Sequence, residues 1–181
     1  MSAADVTTIF AILATVGAVV GILAAIAAII PGVGGQLRDA LAGQGVPLAW
    51  LVAVVATLGS LYLSEVAHFV PCRLCWYQRI AMYPLVVVLG IGWLRRDGSA
   101  RLTAAVLAAL GLAVNVWHLA IELKPSLEGS GCDPTNPCAF RWVEVWGFWT
   151  IPRMATVAFA LVLLTLALDR GPAPSQEVAT P

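Results

Sequence analysis

The chain has 181 residues, of which 60% are hydrophobic and 11% charged, and its mean hydropathy is +0.90. Soluble domains are about half apolar and a quarter charged, so the composition excludes an ordinary water-soluble domain and points to a membrane protein. A formal net charge of zero argues against an electrostatic nucleic-acid binder.

Taken in chain order, the first apolar run is Val6–Ile30. No lysine or arginine precedes Arg38, and the run is too long for the core of a signal peptide, so it is expected to be retained as a helix. Four more runs follow: Leu48–Val70, Trp76–Leu94, Leu102–Leu123 and roughly Thr150–Leu168. Each reaches or approaches the ~20 helical residues that span a bilayer core. Residues 169–181, rich in proline, alanine and serine, are expected to form a disordered tail. The fold expected is all-α and polytopic, with no internal repeat.

Orientation follows from the positive-inside rule. The segment RRDGSAR, Arg95 to Arg101, carries three arginines and is expected on the cytoplasmic side, with Arg38 and Arg170 beside it. Five spans then put the N-terminus outside and the C-terminal tail in the cytoplasm. Cys72, Cys75, Cys132 and Cys138 fall on the extracytoplasmic side, where disulfides are permitted.

The cysteines form two close pairs. A zinc site is one reading, but five residues including Pro134 and Pro137 separate the second pair, and an oxidising compartment disfavours thiolate ligands. No metal is expected. A structural disulfide suits Cys132/Cys138, because GSGCDPTNPCAF is a polar, Pro/Gly-rich loop that a bridge would staple. It suits Cys72/Cys75 less well, since a bridge over two residues gains little chain entropy. A thiol at a helix start also feels the dipole, which makes it reactive. Pro71 fits the approach to such a start.

Ionisable residues cluster in sequence terms around this pair. Cys75 and Arg79 are i and i+4, and Cys72 is seven residues from Arg79, so all three are expected on one face. A guanidinium there can stabilise a thiolate and an anion developing on an acceptor; the other reading is an arginine snorkelling to the headgroups. His118 and Glu122 are also i, i+4, and His118 stands about 25 Å along the helix from Arg101 at 1.5 Å per residue. Glu65 and His68 end the second span at a similar depth. Ionisable groups within spans usually face the bundle interior, so Arg79, His118, Glu65 and Glu122 are the candidate cofactor-binding residues. The chain carries no haem, dinucleotide or P-loop signature. A lipid-soluble two-electron acceptor, a quinone, is the suitable electron sink.

YLSEVAHFVPCRLCWYQRIAMYPL, Tyr62 to Leu85, and WGFWTIPRMA, Trp146 to Ala155, resemble the disulfide bond formation protein B (DsbB) family, in particular its short BdbC-like branch. The resemblance covers residues 48–168 and implies a four-helix thiol oxidase domain there. It leaves residues 1–47 as an extra N-terminal transmembrane helix with a cytoplasmic loop. The resemblance also implies a membrane thiol:quinone oxidoreductase of the bacterial inner membrane. Such an enzyme reoxidises a thioredoxin-fold, DsbA-like partner and passes the electrons to ubiquinone or menaquinone. Cys72 and Cys75 would be the quinone-proximal pair and Cys132 and Cys138 the partner-facing pair. Arg79 and His118 would match quinone-site residues, while Glu65 belongs to the branch's pattern without an assigned role. The extra helix departs from the family's four spans. Two other readings are a vitamin K epoxide reductase-like protein, whose loop pair precedes its CxxC, and a membrane scaffold with two structural disulfides.

Overall fold

The computed structural model describes residues 2–129 and 131–169. The expected disordered tail, residues 169–181, is corrected at its first position: Asp169 is buried and accepts from the Gly43 amide at 2.8 Å, while residues 170–181, Arg170 included, lie outside the described residues. Six α-helices run in chain order: α1 (Ala3–Ile29), α2 (Val33–Ala40), α3 (Gly45–Leu61), α4 (Arg73–Arg95), α5 (Ser99–Leu123) and α6 (Ile151–Leu168). All but α2 belong to segments long and apolar enough to cross a membrane. The all-α, multi-pass expectation holds, and among the described residues β-structure is limited to two isolated bridges.

Local chemistry fixes the helix ends. Ser2 accepts from the Asp5 amide and its own amide donates to the Asp5 carboxylate, a reciprocal cap that starts α1. The 27 residues of α1 extend about 40 Å, longer than a hydrocarbon core of about 30 Å. Pro31 and Gly32, the latter at φ 83°, end it. The short α2, which hydropathy alone assigned to a loop, then carries Arg38 in its last turn, where a cation suits the helix dipole.

The second span differs from its expected form. α3 stops at Leu61 and passes into a π-helical turn, Tyr62–Val66, closed by Ala67 N–H donating to the Tyr62 carbonyl at 3.0 Å. His68 then takes a left-handed conformation, φ 57°, and the chain runs on through Pro71 without helix, as a residue before proline requires. The helix of the third span begins at Arg73, ahead of the apolar run at Trp76 and at the start that Pro71 and the cysteine pair pointed to; Cys72 serves as its cap, and the Cys72 sulfur accepts from the Cys75 amide at 3.3 Å.

α3, α4, α5 and α6 close a four-helix bundle, each packing on two of the others, while α1 packs on α6 from outside. The core interleaves small residues of α3 and α5 (Ala49, Ala53, Ala104, Ala108) with Leu85 and Leu89 of α4 and Phe159 and Val162 of α6. Small residues let membrane helices approach closely enough for dispersion to hold them. The connection from α5 to α6 folds over the end of the bundle that carries the cysteines. A parallel stack of Phe69 on Trp142, centroids 5.4 Å apart, pins it there.

Candidate functional site

At this end Cys72 and Cys75 are free thiols with their sulfurs 2.7 Å apart, and Cys132 and Cys138 form a disulfide. The two pairs share one buried cluster with Leu74 and Ile121. Asn136, between the loop cysteines, donates to the Pro71 carbonyl at 3.2 Å and so ties the loop pair to the approach of the other pair. Glu128 accepts from the Cys138 amide. A hydrogen bond from the Cys75 thiol pulls the Cys72 thiol down to about 5 against the opposing effect of burial, with His118 adding to the pull. Cys72 is thus a thiolate at neutral pH.

His118 joins the two pairs. Its Nε2 lies 3.9 Å from the Cys72 sulfur and 3.0 Å from the Cys138 carbonyl oxygen. Three further residues decide which ring nitrogen carries the proton. Asn115, fully buried, donates from Nδ2 to the Pro152 carbonyl at 2.9 Å and to the Thr156 hydroxyl. A carbonyl only accepts, so the Asn115 amide is fixed with its oxygen toward Gln78. That oxygen receives Gln78 Nε2 at 2.6 Å, and the same Gln78 nitrogen lies 2.9 Å from His118 Nδ1. Nδ1 therefore accepts, and Nε2 carries the hydrogen that faces Cys138 and Cys72. Gln78 and Asn115 are the site residues the sequence reading missed. An uncharged amide inside an apolar run was the available signal, because such groups are costly in a membrane and seek partners.

Arg79 points the other way. Its Nε donates to the Ser60 hydroxyl at 3.0 Å and its Nη2 to the Ser60 carbonyl at 2.8 Å, where the α3 ladder is about to pass into the π-helical turn. Tyr83 also donates to the Ser60 hydroxyl, at 3.1 Å. The expectation of one face for Cys72, Cys75 and Arg79 is corrected here. As the helix cap, Cys72 turns toward α5 and His118, and Arg79 turns toward α3. Cys75 lies between them and lines two spaces. One is a cavity of about 490 Å³ that also meets Arg79, Gln78 and Met82, with walls from α1, α3, α4 and α6. The other is a small pocket with Cys72, His118, Glu122 and Cys138 in its lining.

The remaining candidates separate. Glu122 is buried and ion-paired with Arg153 at 3.1 Å and Arg141 at 3.4 Å, and it accepts from the Thr150 hydroxyl at 2.7 Å. It fastens the start of α6 and the preceding loop to α5. Glu65 is exposed, accepts from the Ser64 hydroxyl at 2.9 Å, and is not among the residues that line the cavity. His68 is exposed as well. The convergence of Glu65 and His68 with Arg79 and His118 is therefore not found.

For a metal, Cys72, Cys75 and His118 offer three donor atoms within 4.8 Å of one another. The second pair is consumed in a disulfide, so a four-cysteine zinc site is incompatible with this state. For a quinone the fit is better. The cavity is mostly apolar, the Cys75 sulfur lies in its wall, and Arg79 has five N–H donors, of which Ser60 uses two.

Comparison with known proteins finds one family. The family model described as disulfide bond formation protein DsbB matches residues 44–168. Disulfide bond formation protein C of Bacillus subtilis is 40% identical over 124 residues, covering 68% of this chain and 90% of the relative. A probable disulfide formation protein of Deinococcus radiodurans is 43% identical over 133 residues, covering 68% and 86%. A probable disulfide formation protein C of Halalkalibacterium halodurans is 41% identical over 117 residues, covering 64% and 85%. No solved structure matches.

Proposed function

The chain belongs to the disulfide bond formation protein DsbB family, and from this premise we propose that it is a quinone-linked thiol oxidase serving an extracytoplasmic thioredoxin-fold partner. Membership makes it a multi-pass membrane oxidoreductase of disulfide formation. The acceptor, the partner and the sidedness are our reading. The observation that carries it is the position of Cys75, in the wall between the small pocket that reaches Cys138 and the apolar cavity that holds Arg79.

The relay runs in two exchanges. A thiolate of the reduced partner attacks the Cys132–Cys138 disulfide, and the mixed disulfide resolves to release oxidised partner and leave a loop dithiol. Both loop sulfurs are buried, so this step belongs to a state in which the loop has lifted from Pro71. In the second exchange a loop thiolate attacks the Cys72 sulfur of a Cys72–Cys75 disulfide, and Cys75 leaves. The other loop cysteine then attacks the mixed disulfide, and Cys72 leaves. A low pKa makes Cys72 a good leaving group, and the Nε2–H of His118 faces the charge as it returns. The products are a Cys132–Cys138 disulfide and a Cys72/Cys75 dithiol, the pairing seen here.

A quinone held beside Cys75 and Arg79 would supply the sink for the two electrons and two protons that the Cys72/Cys75 dithiol gives up as it closes to a disulfide. Arg79 holds positive charge and donors at the mouth of the cavity beside Cys75. The arginines near Arg95 to Arg101 lie at the opposite end of the bundle and support a cytoplasmic placement of that end.

The test uses Cys132→Ser in the full chain. The variant should still reduce added quinone through Cys72 and Cys75 after chemical reduction, yet oxidise no partner. Partner turnover at the native rate would sink the relay. Labelling of the Arg95–Arg101 loop by an impermeant outside reagent would put the thiols in the reducing compartment and end the oxidase reading.

A further inference from the structure

α1 lies outside the residues that match the family model, 44–168, yet it supplies one wall of the cavity beside Cys75. We propose that α1 completes a seat for the isoprenoid tail of the acceptor, whose polar ring lies at Arg79; this rests on the quinone reading above.

The seat follows from how α1 packs. Its small residues Ala11, Ala14 and Gly21 are buried, and it meets α6 as closely as glycine permits: a Cβ on Gly17 would stand 2.8 Å from Leu161 Cδ1. Toward α3 its close approach is Phe10, whose ring lies over Gly59, where a Cβ would stand 2.7 Å from the ring edge. Between these two contacts α1 stands away from α3, and the gap is the cavity. Leu13, Val16 and Val20 face Leu51 and Val55 across it.

Shape and polarity select the occupant. The α1 wall from Phe10 to Val20 is eleven residues, whose ten rises of 1.5 Å make about 15 Å. A space of about 490 Å³ drawn out over that length is a narrow slot, deeper than one ring needs. Polar groups gather at one end, with Arg79, Gln78 and Ser60, and the far end is aliphatic, with Leu51, Val20 and Leu161. A molecule with a polar redox head and a branched apolar chain matches both ends. A phospholipid acyl chain would match only the far end, leaving the Arg79 donors without an acceptor.

The experiment uses the full chain in lipid nanodiscs and a naphthoquinone carrying a photoreactive group on its isoprenoid tail. Adducts are expected on α1 between Leu13 and Val20, and excess unlabelled long-tailed quinone should compete them away. Adducts that no quinone displaces, or none on α1, would overturn the seat and mark the cavity as filled by bilayer lipid. Val16→Trp should block the slot, removing the competed adduct and raising the KM for a long-tailed quinone about tenfold. The KM for a tail-less quinone should stay as it was. Equal losses for both quinones would overturn the seat, since α1 would then act on the fold or the ring site. Should Val16→Trp fail to fold, the labelling of the native chain still decides. Competed labelling without reduction of either quinone would leave the seat standing and overturn the electron-transfer reading instead.

Discussion

His118 Nε2 lies 3.9 Å from the sulfur of Cys72, close enough to hold a hydrogen on a thiolate but on the side away from the large cavity. The same nitrogen is 3.0 Å from the Cys138 carbonyl, so one ring hydrogen lies between the two cysteine pairs. This geometry supports a role for His118 in the proposed internal exchange, whereas the family resemblance implied one at the acceptor site.

His118→Phe keeps much of the ring volume and removes both nitrogen contacts. Exchange between the Cys132/Cys138 dithiol and the Cys72–Cys75 disulfide should slow about a hundredfold, the usual scale for losing a positioned proton donor. Gln78→Leu should cost less, about tenfold, by freeing the ring to adopt the other tautomer, and it should change the pH profile of the exchange. Rapid alkylation of quenched samples measures both. An unchanged exchange rate in His118→Phe, with slowed quinone reduction, would move His118 back to the acceptor.

The Cys72 thiol, at about 5 with the Cys75 hydrogen bond as the largest cause, has a definite pH signature. Its folded value lies below the ordinary thiol value of about 8.5. The stabilisation of the folded dithiol form is therefore complete above pH ~8.5 and is lost as pH falls through about 5. Thiolate absorbance of the dithiol form should titrate near pH 5, and melting temperature should fall over the same interval. Cys75→Ala removes the donor, so the Cys72 midpoint should rise. A midpoint that stayed near 5 in that variant would assign the shift to His118 instead.

The five spans were legible because hydropathy is summed over ~20 residues, and no single position decides it. The π-helical turn at Tyr62–Val66 was not, because it depends on single backbone contacts such as Ala67 N–H to the Tyr62 carbonyl; the start of α4 was, because Pro71 and the reactive cysteine pair mark it. Cys72, Cys75 and the loop pair stood out by chemistry and do come together. Arg79 and His118 stood out by charge, but helical spacing could not show that they lie on opposite sides of α4, Arg79 against α3 and His118 on α5. Glu65 was named on depth and on the branch's pattern, and neither fixes direction. Gln78 and Asn115 carry no charge and escaped a search for titratable groups.

Glu122 carries a buried carboxylate between two guanidiniums, and removing its charge takes the ion pair from Arg153 and leaves Arg141 with Glu144. Glu122→Gln should lower stability by about 3 kcal/mol, a fall in melting temperature on the order of 5–10 °C. Arg153→Met should cost more than Arg141→Met, because Arg141 is the more exposed partner at 35% against 19% and solvent screens it. In Glu122→Gln the quinone KM should be unaltered. A raised quinone KM without loss of melting temperature would make Glu122 a binding residue for the acceptor.

Arg79 ties the dithiol to the electron sink. Ser60 occupies two of its five N–H donors and so aims the rest, while Trp76 and Tyr83 rings flank its guanidinium carbon at 5.2 and 5.8 Å. Arg79→Met keeps the apolar stem and removes charge and donors. Quinone reduction should fall about a hundredfold, the scale of one lost charge-assisted contact to a developing anion. Single-turnover exchange at Cys132/Cys138 should persist, because that pair faces His118. Arg79→Lys should rescue only in part, since an ammonium cannot hold Ser60 and an acceptor with one planar fork. Ser60→Ala should give a smaller loss, through aim rather than charge. An arginine that merely reaches for headgroups would predict near-native quinone reduction in Arg79→Met with a lowered melting temperature, and that result would move the acceptor site away from Cys75.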